Sequence, residues 1–285
     1  MKNNITLNRA LVLGGGGSYA IGWELGYLSG LSQEGIDVRN LDLVIGTSGG
    51  AQAATAITSN QNWDEIFQQQ IAPKPNEEPP HQDMVSVIEK YSEIAKKSKN
   101  PKEWLENYSK FALETNKFDE SVHLNRLKDR IKVNRWPNNL IITAIDAQKS
   151  ERVTFTSESN ADIYKAMEAS GSLPGVWPAT TIDGNKYYDG GCHSMDNADL
   201  AKGAKKVLVL APSLPVATPY TLEEAIKDLK ENGSEVQLVV PNEEVFQKLN
   251  ELGGNTVDTK IRPEIFRVAK AQGIQDSAKL KDFFK

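Results

Sequence analysis

The chain has 285 residues, 33 basic against 38 acidic, for a formal net charge of −5, and so lacks the basic footprint of a nucleic-acid-binding protein. Its one cysteine, Cys192, excludes an intrachain disulfide framework and an all-cysteine metal site, and fits a reducing compartment. Residues 1–5 lack the apolar core of a signal peptide, and no run approaches the roughly 18 to 20 apolar residues of a membrane span, so the expectation is a cytoplasmic globular protein.

Residues 11–13 form a short apolar run that ends in Gly14, Gly15, Gly16 and Gly17. Ile21, Trp23, Leu25, Leu28 and Leu31 then suit a helix buried on much of its surface, stopping near Gly35. A second continuous apolar run, 41–45, meets Gly46-Thr47-Ser48-Gly49-Gly50 and the small residues 51–56. Continuous rather than alternating apolar strands predict burial on both faces, as in a parallel sheet flanked by helices.

Residues 60–137 change character. Gln, Asn, Lys and Glu dominate, and Pro73, Pro75, Pro79 and Pro80 form a breaker-rich connector. One amphipathic helix carries Met84, Val87, Ile88, Tyr91, Ile94 and Ala95 on one face. Another starts at Asn100-Pro101 and carries Trp104, Leu105, Tyr108, Phe111 and Ala112. Both read as core packing, with an acyl-chain wall or a lid as the alternative. Leu124, Leu127 and Ile131 add a shorter pattern. Strands are predicted at 140–145, 152–156, 207–210 and 236–240, and helices at 161–169, 221–231, 243–252 and 263–271. A Gly- and Pro-rich loop spans 170–178, and Lys186-Tyr187-Tyr188 leads into Asp189-Gly190-Gly191. The expected architecture is one three-layer αβα domain with a mostly parallel central sheet. It carries a helical insertion at about 60–137 and a C-terminal helical segment at about 241–285.

Three loops carry candidate chemistry. The glycine run between strand and helix lets bare N–H groups converge beside a helix N-terminus, which suits a phosphate or a developing oxyanion. Gly15, Gly17 and Ala20 also match a dinucleotide fingerprint, but the acid required at the end of the second strand is missing. Gly46-Thr47-Ser48-Gly49-Gly50 fits the G-x-S-x-G elbow, whose sharp turn pushes a serine out of the sheet; the bland reading is a tight turn with a capping serine. Asp189-Gly190-Gly191 taken alone reads as a solvated turn.

In this order the three loops resemble the patatin-like phospholipase family. Residues 11–51, the loop 170–178 and Asp189-Gly190-Gly191 with downstream Asn197-Ala198-Asp199 are similar to bacterial members, over roughly residues 9–215. The resemblance implies a patatin-like serine lipid acyl hydrolase of phospholipase A, lysophospholipase or carboxylesterase type, working through an acyl-enzyme with no cofactor and no metal. It implies Ser48 as nucleophile and Asp189 as base. The oxyanion hole would come from Gly14, Gly15, Gly16, Gly17 and Gly49, with Gly46, Gly50, Gly190 and Gly191 supporting the motifs. Ser18, Tyr19 and Ala20 depart from the usual continuation of the glycine loop, in which a basic residue stands where Tyr19 does. The partner implied is a lipid or acyl ester, with transient contact at a membrane surface; Lys96, Lys97, Lys99 and Lys102 read as a solvated face, with docking to anionic lipid as the alternative.

Two rival readings stay open: a non-catalytic lipid- or acyl-binding protein on the same fold, and a nucleotide-binding α/β protein. His81 and His123 read as surface or structural. His193, two residues past the Asp-Gly-Gly turn, is the residue that could convert the dyad to a triad. Cys192 reads as a small buried hydrophobe, and Asp183 and Glu168 as solvated or capping groups.

Overall fold

The first apolar run becomes strand β1 (Arg9–Leu13), and the glycine loop behind it opens helix α1 (Gly17–Gln33). Strand β2 (Leu43–Gly46) and helix α2 (Gly49–Thr58) repeat the pattern. Helix α3 (Trp63–Ile66) starts on an Asn62–Glu65 capping box and runs into a π-helical turn, Phe67–Ile71. Helices α4 (Met84–Lys97), α5 (Pro101–Glu114) and α6 (Glu120–Arg130) follow. Next come β3 (Leu140–Asp146), β4 (Glu151–Phe155), α7 (Ile163–Gly171), β5 (Thr180–Ile182) and β6 (Asn185–Asp189). The chain continues through β7 (Lys206–Leu210), α8 (Leu222–Glu231), β8 (Glu235–Val239), α9 (Glu243–Glu251) and α10 (Arg262–Phe284). The computed structural model describes residues 7–74, 84–115, 119–214 and 216–284. His81 and three of the connector prolines, Pro75, Pro79 and Pro80, lie outside the described residues.

The strands form one sheet in the order β5-β6-β3-β2-β1-β7-β8, with β4 also on β3. It is mixed and mostly parallel along its middle: β3, β2, β1, β7 and β8 run together, while β4, β5 and β6 are antiparallel additions. The register on β3 decides where the chemistry sits. Strand β4 occupies one edge of β3 from Ile142 to Asp146. Both β2, which ends with Gly46 opposite Ile142, and β6, which ends with Asp189 opposite Ala144, must therefore share the other edge. Their C-terminal ends meet head to head, two residues apart along β3.

Alternation within each strand sends side chains to two helical layers. Leu11 and Leu13 join the cluster under α1, α2, α7 and α10, whereas Ala10 and Val12 join the cluster under α8. Helices α4 and α5 pack through Val87, Tyr91, Leu105 and Tyr108 against Ile145 and Tyr188, at the antiparallel end of the sheet. The helical segment thus divides, because Leu127 of α6 joins the α1 side.

Two features differ from the sequence expectation. Strand β5 is only three residues long and gains its order from pairing with β6. Helix α10 runs far past residue 271, because α1 gives it a surface along most of its length. A Cβ on Gly26 would lie 2.4 Å from Phe266 O, on Gly30 2.3 Å from Lys270 O, and on Gly273 2.2 Å from Tyr27 O. The two helices therefore touch backbone to backbone. Trp23 Nε1 donates to Gln272 Oε1 (3.0 Å) and Tyr27 OH to Asp276 Oδ2 (3.2 Å) along the same seam. Gly26→Ala forces this seam apart and should cost about 1–3 kcal/mol, read as a lower urea midpoint at unchanged m-value; an unchanged midpoint would mean that the helices can separate without loss.

Candidate active site

Ser48 stands at the N-cap of α2 with φ 54° and ψ −119°, a backbone conformation that costs a non-glycine residue about 1–3 kcal/mol. The surroundings hold it there. Thr47 N–H donates to Leu13 O (3.1 Å), and Ser48 N–H donates to Ser170 Oγ of α7 (2.8 Å). The turn also needs flanking residues without side chains. A Cβ on Gly46 would lie 2.6 Å from Ala51 Cα, and one on Gly50 2.3 Å from Leu13 O.

The head-to-head strand ends bring Asp189 to this serine, 141 residues away in sequence. Ser48 Oγ donates to Asp189 Oδ2 at 2.7 Å, and Gly191 N–H donates to Asp189 Oδ1 at 2.8 Å. Asp189 is 1% exposed. Burial pushes its carboxyl up to about 7, against the opposing hydrogen bonds from Ser48 and Gly191. Beneath the pair, Thr47 Oγ1 and Thr143 Oγ1 are 2.9 Å apart. Asn197 Nδ2 donates to Thr47 Oγ1 (3.1 Å), Gly190 O (3.2 Å) and Ser194 O (2.7 Å). Asn197 thereby ties both strand ends to one buried amide, and Arg152 braces it through Asn197 Oδ1 and an ion pair with Asp199.

The glycine loop lies against the serine, since a Cβ on Gly15 would meet Ser48 Cβ at 3.4 Å. Its amides divide by role. Gly14 N–H donates to Leu210 O (3.1 Å) and Gly15 N–H to Met195 O (2.7 Å), so these two anchor the loop. Among the described residues the amides of Gly16, Gly17 and Gly49 make no hydrogen bond, and Gly49 packs directly on Gly17. The N-terminus of α1, where a pyrophosphate would sit in a dinucleotide fold, is capped instead by Thr256 O, which accepts from Tyr19 N–H (3.0 Å).

Ser48 and Asp189 open on a cavity of about 170 Å³ walled by Ile21, Leu127, Leu173, Val176, Trp177 and Leu214. No residue of α4 or α5 lines it. Those helices pack on the sheet, so the acyl-wall alternative for 84–112 is replaced by walls from α1, α6, the 170–178 loop and the segment after β7. His123, expected at the surface or in a structural role, is buried in this wall and stacked on Trp177 at 4.6 Å. Burial, with the nearby Arg126 and Lys165 charges, lowers its imidazole to about 3. His193 does not line the cavity and stacks on Tyr220 at 4.3 Å; burial and then Arg152 lower it to about 4.

Other singled-out residues have plain placements. Cys192 is buried among Tyr91, Tyr108 and Tyr188, and burial raises its thiol well above the usual range. Tyr19 is fully buried, so the cavity meets Ser18 rather than the residue at position 19. Asp183 is exposed in a turn, whereas Glu168 is buried on α7 and paired with Lys165 at 2.7 Å, not solvated. Sequence reasoning missed a buried acid pair behind the loop. Burial raises Glu24 well above the carboxylate range, with Asp196 adding to it, and burial raises Asp196 to about 7. Gly14 leaves room for Asp196, whose Oδ1 would lie 2.3 Å from a Cβ there. Among the described residues no group of three or more His, Cys, Asp or Glu side chains is arranged to hold a metal ion, and no helix is long and apolar enough to cross a membrane.

No curated protein matches the chain. Among solved structures it is similar to VipD from Legionella pneumophila, at 11% identity over 87% of this chain and 54% of that one, with a TM-score of 0.40. It is also similar to the type III effector ExoU, at 14% identity over 94% and 54%, with a TM-score of 0.37. A complex of SpcU with ExoU from Pseudomonas aeruginosa matches at 13% identity over 95% and 53%, with a TM-score of 0.33. The chain spans about half the length of these structures. A family model for patatin-like phospholipases matches residues 11–202, from the middle of β1 to just beyond the Asn197 brace, and the chain belongs to that family.

Proposed function

We propose that the protein is a serine lipid acyl hydrolase in which Ser48 and Asp189 form a two-residue catalytic centre. Family membership supports lipid acyl hydrolysis in general. The observation that carries the finer reading is the 2.7 Å hydrogen bond from the strained Ser48 to a buried carboxylate held from behind by Gly191. Ser48 Oγ attacks the ester carbonyl while its proton passes to Asp189. The carbonyl oxygen takes the negative charge and is met by the amides of Gly16, Gly17 and Gly49, a narrower donor set than the whole glycine loop because Gly14 and Gly15 are engaged elsewhere. Such donors are each worth about 3–4 kcal/mol in the transition state. Collapse expels the alcohol, which takes the proton from Asp189 and leaves an acyl-Ser48 ester. Water then attacks this ester, giving its proton to Asp189, and the fatty acid leaves as the Ser48 hydroxyl re-forms. A carboxyl near pH 7 is far better matched to these transfers than one near its ordinary value. The apolar wall receives the acyl chain.

Ser48→Ala and Asp189→Asn should each lower kcat on a medium-chain p-nitrophenyl ester by about a thousandfold or more without changing the far-ultraviolet spectrum. Retained turnover in Ser48→Ala would overturn the reading, and so would a His193→Ala variant that proved the more damaging. Because Asp189 must be ionised to act as base, wild-type kcat/KM should rise with pH through about 7 and level off above it.

The same group sets a stability test. Its carboxyl is raised in the folded state, from 3.8 to about 7, so the stability it contributes is complete below the unfolded value and is lost as pH rises through about 7. The full span corresponds to about 4 kcal/mol. Asp189→Asn removes that loss, so its urea midpoint should exceed wild type by more at pH 8 than at pH 5. A gap independent of pH would mean that Asp189 is not held in the raised state.

A further inference from the structure

The proposed chemistry does not use His123, an imidazole set in the wall of the cavity beside Ser48. The residue is 7% exposed, and its Nδ1 is buried with no hydrogen-bond partner among the described residues. One face of the ring lies flat on Trp177, with centroids 4.6 Å apart and planes 5° from parallel. Leu127, one turn further along α6, lines the same wall. A buried polar atom without a partner is costly. Packing on Trp177 alone would be met better by a phenyl ring, which has no nitrogen to desolvate.

The free edge of the ring is turned to the site. A Cβ on Gly171 would lie 3.1 Å from His123 Cε1 and 3.5 Å from Nε2. Gly171 ends α7 and lines the cavity. Its neighbour Ser170 supplies the hydroxyl that receives the Ser48 amide. The Cε1–Nε2 edge therefore stands one residue from the support of the nucleophile, and a side chain at position 171 would crowd it.

Burial, then the Arg126 and Lys165 charges, lower His123 to about 3, so the ring is neutral throughout the range in which Asp189 ionises. A neutral imidazole carries one N–H and one bare nitrogen, and the bond made by one nitrogen decides the state of the other. Nδ1 has no acceptor to hold the proton, which leaves the proton to Nε2, on the edge beside Gly171.

We infer that His123 is a specificity residue, whose Nε2–H donates to an uncharged oxygen, an oxo or hydroxyl group, carried on the acyl chain, so that the cavity favours oxygenated acyl esters over plain ones. The inference rests on the hydrolase reading for the ester, but its binding chemistry can be measured without turnover. A plain chain against this wall leaves the donor dry and unpaired, whereas an oxygen on the chain satisfies it. A site built to hydrogen-bond its substrate discriminates against the analogue lacking that oxygen far more sharply than an apolar wall discriminates by size.

The kinetic test compares p-nitrophenyl dodecanoate with a series in which one oxo group is moved carbon by carbon along the acyl chain. The leaving group is constant, so the comparison reports the acyl side alone. At the best position kcat/KM should exceed that of the plain ester by about fivefold, the scale of one neutral hydrogen bond. His123→Phe keeps a ring on Trp177 and removes the donor, and should bring this ratio to one; His123→Gln, which carries an amide donor, should retain part of it. A series with no preferred position, or a ratio unmoved in His123→Phe or His123→Gln, would overturn the proposal.

Binding to Ser48→Ala separates recognition from hydrolysis. Calorimetry should show the best oxo ester binding about fivefold more tightly than the plain one, a difference lost when His123→Phe is added. Nitrogen NMR of labelled histidine should show the His123 resonances moving with the oxo ester and not with the plain ester. These results support the inference even if wild type cleaves neither ester, a failure belonging to the hydrolase reading alone. Equal binding of the two esters, or His123 nitrogens that respond equally to both, would overturn it.

Discussion

The head-to-head meeting of β2 and β6 on one edge of β3 is the constraint on which the site depends. Ending β2 at Gly46 opposite Ile142 and β6 at Asp189 opposite Ala144 leaves room for the two tight turns that present Ser48 and Asp189 to each other. Thr143 sits between those two β3 positions, and its hydroxyl meets that of Thr47. A Cβ on Gly190 would lie 2.4 Å from Thr143 Oγ1, so the second turn must pass close to the same residue. Asn197 then binds both turns. A one-residue slip of either strand would turn its side chains to the opposite face and separate the pair.

This arrangement concentrates unfavourable terms at one place. Ser48 holds a strained backbone, and Asp189 is buried with two uncharged groups, the Ser48 hydroxyl and the Gly191 amide, donating to its carboxylate. Glu24 and Asp196 add two more buried acids behind the glycine loop. Each term is several kcal/mol at most, comparable with a sizeable part of a domain's net stability. They persist because the surrounding layers over-determine the geometry: both sheet faces are covered, and α10 is locked to α1 along most of its length. The acid that is costly when ionised is also the one whose proton affinity suits transfer near neutral pH.

Much of this was legible in the sequence, for physical reasons that differ by residue. The strand–turn–helix at Ser48 declares itself as a local motif: Gly46 is demanded by Ala51 a few residues on, while Gly49 and Gly50 stand in the same motif although the backbone they approach is that of Gly17 and Leu13. Asp189 is ambiguous from its own turn, since its partner lies across the sheet, and only the ordered set of loops singled it out. The wall built by α6 left a weaker trace. His123, Arg126, Leu127 and Arg130 occur at helical spacing, yet the apolar pattern Leu124, Leu127 and Ile131 drew attention to a neighbouring stripe. Arg262, which also lines the cavity, had no local signal, because its place is set by the α1–α10 seam. The glycines of that seam carry no local signal, because each is demanded by a helix distant in sequence. The loop amides likewise look equivalent in sequence, and only their partners separate the anchoring Gly14 and Gly15 from Gly16, Gly17 and Gly49.

The central claim is that Ser48 is a nucleophile activated by Asp189. Mass spectrometry of the intact chain after brief exposure to an alkyl fluorophosphonate, followed by peptide mapping, tests it most directly. The account predicts one adduct per chain, on Ser48, forming faster as pH rises through about 7 and strongly slowed in Asp189→Asn. An unmodified Ser48, or labelling at the same rate in Asp189→Asn, would contradict it.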